Sequence, residues 1–248
     1  MKRIPLRWVV LAAALFGLFL VFTLPARHAL GWLGGDQLAV QGIDGTTWHG
    51  RVQRLAVGQS AMGPVVWQLR PLKLLTGRIE YQLFAQSGSG GGELRAGRSL
   101  FGGDFVEDVQ FSMPAADLAR QLQLRVASLG GDFQADIDRL AVASDWISEL
   151  EGQVVWQGAL VLEPSRVALG DLQMTLTLRE TQIVGTLSDQ GGPLALSGEV
   201  LIGQDRRYRL DARVMARDTA DPQLQEALHM LGAPDAEGRY PLQLSGAF

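Results

Sequence analysis

Polar and apolar residues alternate with a period of two in many separate segments of this chain. Between Asp132 and Asp138, every acid falls on one side of the alternation and every apolar residue on the other. Successive side chains of a β-strand point to opposite faces, so this period predicts strands with one apolar and one polar face. Such one-sided strands are typical of antiparallel sheets. The same pattern occurs at residues 65–69, 79–83, 109–113, 122–126, 172–179, 207–214 and 240–244.

Helical patterns are few and short, and the best one covers residues 221–232. Asp221 can cap its start, Pro222 suits the first helical position, and Gly232 suits the position just beyond its end. Three leucines are expected on the apolar face of this helix: Leu224, Leu228 and Leu231.

Two further segments, residues 114–120 and 144–150, are predicted to form one or two helical turns each. The fold class expected from these patterns is mainly β, with antiparallel, twisted sheets and a few short helices.

An uncharged apolar segment lies near the N-terminus, at residues 8–24. At about 1.5 Å rise per residue a helix of this length spans about 25 Å, a little less than the hydrocarbon core of a bilayer. Pro25 and Ala26 can extend it. The sequence therefore predicts a single transmembrane helix over residues 8–26, after a short tail at 1–7. A connector is expected at residues 27–40, and a β domain at residues 41–248.

A cleaved signal peptide is the alternative to an anchor, and it requires small residues one and three positions before the cut. Cleavage after Ala26 places Leu24 three positions back, and cleavage after Ala29 places Arg27 there. Neither site fits, so we expect the anchor to be retained.

The charges around the apolar segment predict its orientation. Three cations precede it, namely Lys2, Arg3 and Arg7, whereas only Arg27 and His28 follow it closely. The positive-inside rule then keeps the N-terminus cytoplasmic and exports the rest. The expected protein is single-pass in the inner membrane, with most of its chain in the periplasm.

Composition excludes several functions. The chain has no cysteine, which excludes thiol catalysis, zinc–thiolate sites and iron–sulfur clusters. Its net charge is −4 although the tail is basic, so the remainder is more acidic still. Nucleic-acid binding needs a concentrated basic patch, and we expect no nucleic-acid partner.

A four-residue string, Val-Val-Trp-Gln, occurs at residues 65–68 and again at 154–157. Each copy lies in a predicted strand, and its tryptophan is more typical of a β core than of a ligand site. The repeat allows two similar halves within the β domain, at about residues 41–105 and 106–248.

Residues suited to catalysis are scattered. The histidines, His28, His49 and His229, show no paired spacing of a metal or catalytic motif. Ser60 misses the Gly-x-Ser-x-Gly nucleophile elbow by one residue. We predict a protein without catalytic, cofactor-binding or metal sites, and therefore not an enzyme.

Three arginines, Arg207, Arg209 and Arg213, share one face of a predicted strand. They form a candidate surface for an acidic partner. The alternative is a solvated strand face that discourages edge-to-edge pairing.

Two short motifs carry a family resemblance. Gly-Thr-Thr-Trp-His-Gly at residues 45–50 is similar to an early G-T-x-W-x-G, and residues 66–78 are similar to a W-x-L-x-P-x-x-L-L-x-G element. With the anchor before them and the C-terminal helix after them, they resemble the type II secretion system protein N family. The motif positions are Gly45, Thr46, Trp48, Gly50, Trp67, Pro71, Leu75, Gly77 and, in a second tryptophan strand, Trp156.

The resemblance implies an accessory inner-membrane component of the apparatus that exports folded proteins across the outer membrane. It implies association with other secretion-system components of the inner membrane and periplasm, and it brings no catalytic motif. The motifs have a structural interpretation, because glycines suit turns, tryptophans fill an apolar face, and Pro71 ends a strand before a brief turn.

The alternative is an envelope protein of the AsmA or TamB kind, in which an apolar β face binds or carries lipid. The two hypotheses differ in whether that face forms a closed core or a groove for acyl chains. The positions that distinguish them are Leu172, Leu176, Leu210 and Val214.

Overall fold

The computed structural model describes residues 38–57, 60–100, 103–121, 128–143, 146–163 and 165–247. The predicted tail and anchor, and the predicted strand at 122–126, lie outside these residues. No helix in the described ranges is long and apolar enough to cross a membrane. The anchor therefore stays a prediction.

All strands of the described chain belong to one antiparallel sheet. Thirteen of them pair in the order in which they occur along the chain, and the short β3 pairs with β2 beside that path. This confirms the prediction of a mainly β, antiparallel protein. The strands are β1 (Leu38–Gly45), β2 (His49–Val57), β3 (Ser60–Met62), β4 (Val65–Leu69), β5 (Arg78–Ser87), β6 (Gly90–Ser99), β7 (Gly103–Pro114), β8 (Leu129–Ala143), β9 (Trp146–Val161), β10 (Val167–Arg179), β11 (Gln182–Asp189), β12 (Leu194–Ile202), β13 (Arg207–Ala216) and β14 (Tyr240–Ala247).

The described ranges contain three short helices between strands: α1 (Pro71–Leu74), α2 (Ala115–Gln121) and α3 (Pro222–His229). The last two correspond to predicted helical segments. The prediction of helix at residues 144–150 is wrong, because β9 begins at Trp146 and pairs with β8.

Strand β1 begins at Leu38, close to the predicted start of the β domain, and the domain bounds stay a prediction. Leu38 pairs with Val57, at the far end of β2. This pairing joins residues far apart in the sequence, and the start of β1 has too weak an alternation to predict it.

One face of the sheet is apolar across many strands. In antiparallel sheets, residues directly opposite one another share a face. Phe133, Trp156 and Leu172 are opposite one another on β8, β9 and β10. On the other face of β8, Asp132 and Asp136 are exposed, which confirms the alternation predicted for this segment.

Two clusters of buried apolar side chains anchor this face. The C-terminal cluster lies under α3 and comprises Val167, Leu194, Val214, Leu224, Leu228 and Tyr240. The N-terminal cluster comprises Val52 and Trp67, with Ile43, Tyr81 and Leu83 packed against them. Of the positions that distinguish a closed core from a groove, Val214 is buried, whereas Leu172, Leu176 and Leu210 are half-buried.

The proposed boundary between two halves falls inside β7, and the sheet continues across it. The two Val-Val-Trp-Gln strings lie in β4 and β9. Trp67 is buried, whereas Trp156 is half-buried and stacks on Phe133 with ring centroids 5.0 Å apart. The division into halves stays a prediction.

Candidate functional site

The two signature motifs meet at one end of the sheet, in a region that we call the motif corner (residues 45–50 and 67–80). The first motif forms the turn between β1 and β2, where the Thr46 amide donates to the His49 carbonyl at 2.8 Å. The Thr46 hydroxyl accepts from the amides of Trp48 and His49. The amide of Leu69, at the end of β4, donates to the Trp48 carbonyl at 2.6 Å, which joins the turn to the second motif.

The buried side chain of Trp67 contacts both motifs of the motif corner. Its Nε1 donates to the Thr46 carbonyl at 3.1 Å. Its ring lies against Gly50, where an added Cβ would come within 2.4 Å of ring carbon Cζ2. Gly45 has φ +103°, in the region that favours glycine. These contacts give a physical reason for the glycines, threonine and tryptophan of the two motifs.

The second motif continues as a single tight turn built around α1. Pro71 occupies the first helical position, where its fixed φ suits the helix and its missing N–H costs nothing. The amides of Leu75 and Thr76 donate to carbonyls three residues earlier. Gly77 ends the turn with φ +72°.

A buried carboxylate holds this turn to the sheet. Glu80, on β5, is 1% exposed, and its Oε1 lies 2.6 Å from Nη1 of Arg70. Its Oε2 lies 4.0 Å from Nζ of Lys73 and accepts no hydrogen bond from any residue of the described chain. A buried charge requires compensation, and the hydrogen-bonded Arg70 supplies it and ties the turn to β5, whereas Lys73 adds only a more distant positive charge.

Sequence reasoning missed Glu80. Its signal was an acid inside a predicted strand, shortly after the cations of Arg-Pro-Leu-Lys. That signal becomes specific only when the turn folds back onto β5.

Three leucines of the motif corner and its neighbouring turn are each at least 73% exposed. Leu72 is 78% exposed and Leu75 is 86% exposed. Leu100, in the turn between β6 and β7, is 73% exposed, and its amide donates to the Gly77 carbonyl at 3.0 Å. We call these three residues the leucine surface. Leu75 was identified from sequence as a structural motif position, yet its side chain contributes little to the core.

Arg207, Arg209 and Arg213 are all exposed on the polar face of β13, beside the edge strand β14. The structure therefore brings the three together as predicted from their spacing. Acids lie among them: Asp205 Oδ2 is 3.7 Å from Arg207 Nε, and Asp211 shares the strand. The surface is of mixed charge, and partner binding there stays a prediction.

The structure does not bring the described histidines together. His49 lies in the motif corner, whereas Nδ1 of His229 is 3.0 Å from the Tyr240 hydroxyl beside α3. Across the described ranges, no three His, Asp or Glu side chains form a group that could hold a metal ion.

Comparisons with known proteins agree with the motifs. The family model described as type II secretion system (T2SS), protein N matches residues 36–243. A type II secretion system protein N from Aeromonas hydrophila is 28% identical over 96% of this chain and 98% of its own length.

Two further relatives carry the same name. The protein from Vibrio cholerae serotype O1 is 25% identical over 91% of this chain and 92% of its own length. The protein from Pectobacterium carotovorum subsp. carotovorum is 23% identical over 93% of this chain and 92% of its own length. No solved structure matches the chain. Since the family match begins just before β1 and ends within β14, this chain belongs to the type II secretion system protein N family.

Proposed function

We propose that this protein, an accessory component of the type II secretion system, acts by protein–protein association and catalyses no reaction. The observation that carries the proposal is the family match over residues 36–243, which includes both signature motifs. None of the relatives belongs to the AsmA or TamB class.

The geometry of the motif corner supports association. The family-like motifs of the chain build a hydrogen-bonded turn that presents leucines to solvent rather than a cleft with convergent reactive groups. Exposed apolar groups held in a fixed geometry are typical of surfaces that bind other proteins.

The proposed location is the inner membrane, with residues 8–26 as a single-pass anchor and the sheet in the periplasm. The uncharged apolar segment and the cations before it support this topology. Partners in this location are other secretion-system components of the inner membrane and periplasm.

Complementation tests the association. In a host that secretes a folded enzyme by this pathway, deleting the gene should reduce the enzyme in the medium. The parent protein should restore it, and its purification from membranes after crosslinking should recover other components of the same system. Full secretion without the protein, together with no recovered component, would contradict the proposal.

Two histidine replacements test the absence of catalysis. A protein carrying both His49→Gln and His229→Gln should restore secretion as the parent does, provided that its level and thermal melting are unchanged. Loss of secretion by a folded double variant would assign one histidine a chemical or binding role.

Intact-mass measurement of membrane-purified protein tests the anchor, and residues 1–24 should be present. A mature N-terminus at Arg27 or Leu30 would show a cleaved signal peptide instead.

A further inference from the structure

One side of the edge strand β14 is not covered by any strand of the described chain, because β14 pairs with β13 alone. The Arg207 carbonyl accepts from the Gly203 amide, so Arg207 directs its backbone groups toward β12 and away from β14. These directions alternate along a strand, and the even-numbered residues of β14 therefore bond to β13. The odd-numbered residues direct their backbone groups outward. We call them the β14 edge: Pro241, Gln243, Ser245 and Ala247.

The β14 edge lacks most of the features by which proteins prevent unwanted pairing. Natural edge strands are usually short, charged, bulged or interrupted by proline. β14 has eight residues and no charged side chain, and only Pro241, near its start, has no N–H to offer. Leu244, on the apolar face, is 52% exposed. An unprotected edge of this kind can take up an extended segment as a further strand.

The opposite edge of the sheet, β1, differs from β14 in two ways. It carries the charged Asp44, and its Gly42 has φ +70°, outside the range of regular strands. Asp44 lies opposite Arg51 of β2, so the arginine one strand in from this edge already faces an acid. Charge and irregular backbone are typical of edges that resist pairing.

Two arginines beside the β14 edge indicate the chemistry of an added strand. Arg207 and Arg209 lie on the polar face of β13, opposite Ala247 and Ser245 of β14. Because these two β14 side chains are small, an open cavity of about 560 Å³ remains there, lined by all four residues among others. An added strand would lie two strand spacings, about 10 Å, from β13. The extended side chains of an arginine and a glutamate can together cover that distance.

The charges that line this cavity do not cancel. They belong to Arg207, Arg209 and one acid, Asp205. Asp205 is paired with Arg207, with 3.7 Å between Oδ2 and Nε. Arg209 lies between the uncharged Leu201 and Ser245 of the neighbouring strands, and no carboxylate of the described chain forms an ion pair with it. One positive charge is thus available to a carboxylate on an added strand.

The same charges disfavour a second copy of this chain as the added strand. Pairing two copies through β14 would gather Arg207, Arg209 and Arg213 of each copy on one face, whereas β13 contributes a single acid, Asp211. That acid already accepts from Nε2 of Gln243 at 3.3 Å. Like charges brought together at an interface oppose association.

From these observations we infer that the β14 edge takes up an extended segment of another secretion-system component as an added strand. Acidic side chains of that segment face Arg209 and Arg207, and the apolar side chains that alternate with them lie beside Leu244. This inference rests on the proposed function and names the surface through which it operates.

Photocrosslinking from the β14 edge tests the inference in the cell. The chain has no cysteine, so one introduced thiol can be labelled specifically. Ser245→Cys, labelled with a maleimide–benzophenone in membranes, should crosslink the full chain to another secretion-system component, at a segment with acids at alternate positions. The matched control is Ser112→Cys, on the polar face of β7, which is exposed but has a strand on each side. It should give at least tenfold less of this product.

Charge reversal tests the role of Arg209. Arg209→Glu, combined with Ser245→Cys, should reduce the product at least tenfold because it places an acid opposite an acidic segment. Arg51→Glu is the matched control, since Arg51 is also exposed and lies one strand in from an edge. Combined with Ser245→Cys, it should change the yield less than twofold.

Two probe peptides test the chemistry on the purified full chain in detergent. Both are capped and have eight residues, the length of β14, and they alternate Val with Glu or Val with Lys. The parent should bind the Glu peptide at least tenfold more tightly than the Lys peptide, and Arg209→Glu should remove or reverse this preference. Gln243→Pro removes an outward amide but no bond to β13, and it should weaken binding of the Glu peptide several-fold. If either variant melts at a lower temperature than the parent, the preference of the parent decides the test.

The outcomes separate the inference from the function on which it rests. If formaldehyde crosslinking of the full chain recovers no other component of the system, both are overturned. If it recovers components, but Ser245→Cys gives no product or the parent does not prefer the Glu peptide, only the inference is overturned. A Ser245→Cys product that joins two copies of this chain would assign the β14 edge to self-association, and a lipid adduct would assign it to the membrane. Either result overturns the inference.

Discussion

At the scale of single residues, Trp67 links the two signature motifs through a ring contact and a hydrogen bond. Its ring fills the space that the absent side chain of Gly50 leaves, and its Nε1 pairs the Thr46 carbonyl. Both interactions cross from β4 to the first hairpin, so the motif corner depends on this side chain more than on any exposed motif position.

Truncating Trp67 should therefore destabilise the protein. Trp67→Ala is expected to lower the free energy of unfolding by about 3–5 kcal/mol through lost burial and a cavity. Trp67→Phe keeps most of the buried area but leaves the Thr46 carbonyl without its donor, at a cost of about 1–3 kcal/mol. Chemical denaturation of the full chain in detergent measures both. A Trp67→Ala protein as stable as the parent, deficient only in partner binding, would contradict the structural role.

Asp189 should make stability depend on pH. Burial raises its pKa, but the amides of Leu196 and Gly191 and the guanidinium of Arg217 donate to it, and together they hold the pKa below its usual value. A carboxylate with a depressed pKa stabilises the fold above its unfolded pKa, about 3.9, and loses that contribution as pH falls through the lower folded value.

Asp189→Asn should accordingly cost about 1–3 kcal/mol near pH 7, and this difference from the parent should shrink below about pH 4. The measurement is denaturant unfolding from pH 7 to pH 3. Asp132→Asn, exposed on the polar face of β8, is the control and should stay within about 0.5 kcal/mol of the parent. A difference for Asp189→Asn that does not vary with pH would show that its hydrogen bonds do not require the charge.

At the scale of elements, α3 covers the C-terminal cluster and ends earlier than its sequence pattern predicts. The Asp221 side chain accepts from the Gln223 amide at 3.0 Å, as expected for a helix cap. The helix ends at His229, so Leu224 and Leu228 are buried while Leu231 is exposed. The prediction that Leu231 belongs to the apolar face is wrong, because the chain tightens after His229: the amides of Leu231 and Gly232 donate to carbonyls three residues earlier, and the Leu231 side chain is exposed.

Two equal truncations test this boundary. Leu224→Ala should cost about 2–5 kcal/mol, since it opens a cavity between α3 and the sheet. Leu231→Ala should cost less than about 0.5 kcal/mol, as for other exposed positions. Thermal and chemical unfolding compare the two variants with the parent. Similar losses for both would mean that Leu231 also packs on the sheet.

Elements specified by local sequence patterns were predicted well, and those that depend on contacts with distant residues were not. Strands such as β8 and β10 were predictable because their alternation is local and long. Residues 144–150 have a helix-like pattern, because the apolar Trp146, Ile147 and Leu150 are at helical spacing. Residues 146–150 nevertheless form the start of β9, which pairs with β8. For the site, the motif positions were visible in the sequence, whereas the ion pairs of Glu80 and the exposure of Leu75 depend on a turn folding over β5.

At the scale of the whole molecule, the sheet is built from strands that pair with their neighbours in sequence. Each strand on the main path pairs with the next one along the chain, so most contacts are made between adjacent strands. The N-terminal cluster is formed by β1, β2, β4 and β5, and the C-terminal cluster mainly by β10, β12, β13, β14 and α3. The strands between them, β6 to β9, join the two through backbone pairing and half-buried side chains.

Such an arrangement should open in parts rather than all at once. When elements contact only their neighbours, stability approximates a sum of local terms, and a local change stays local. Amide hydrogen exchange followed by mass spectrometry can measure this. Trp67→Ala should raise exchange at least tenfold in residues 43–52 and 65–85, because about 1.4 kcal/mol already accounts for that factor. Exchange in residues 194–228 should change less than twofold.

Leu224→Ala is the reciprocal control and should raise exchange in residues 194–228 while leaving residues 43–52 and 65–85 nearly unchanged. A uniform rise along the sheet in either variant would show a single cooperative unit and would contradict the division of the β domain into two halves.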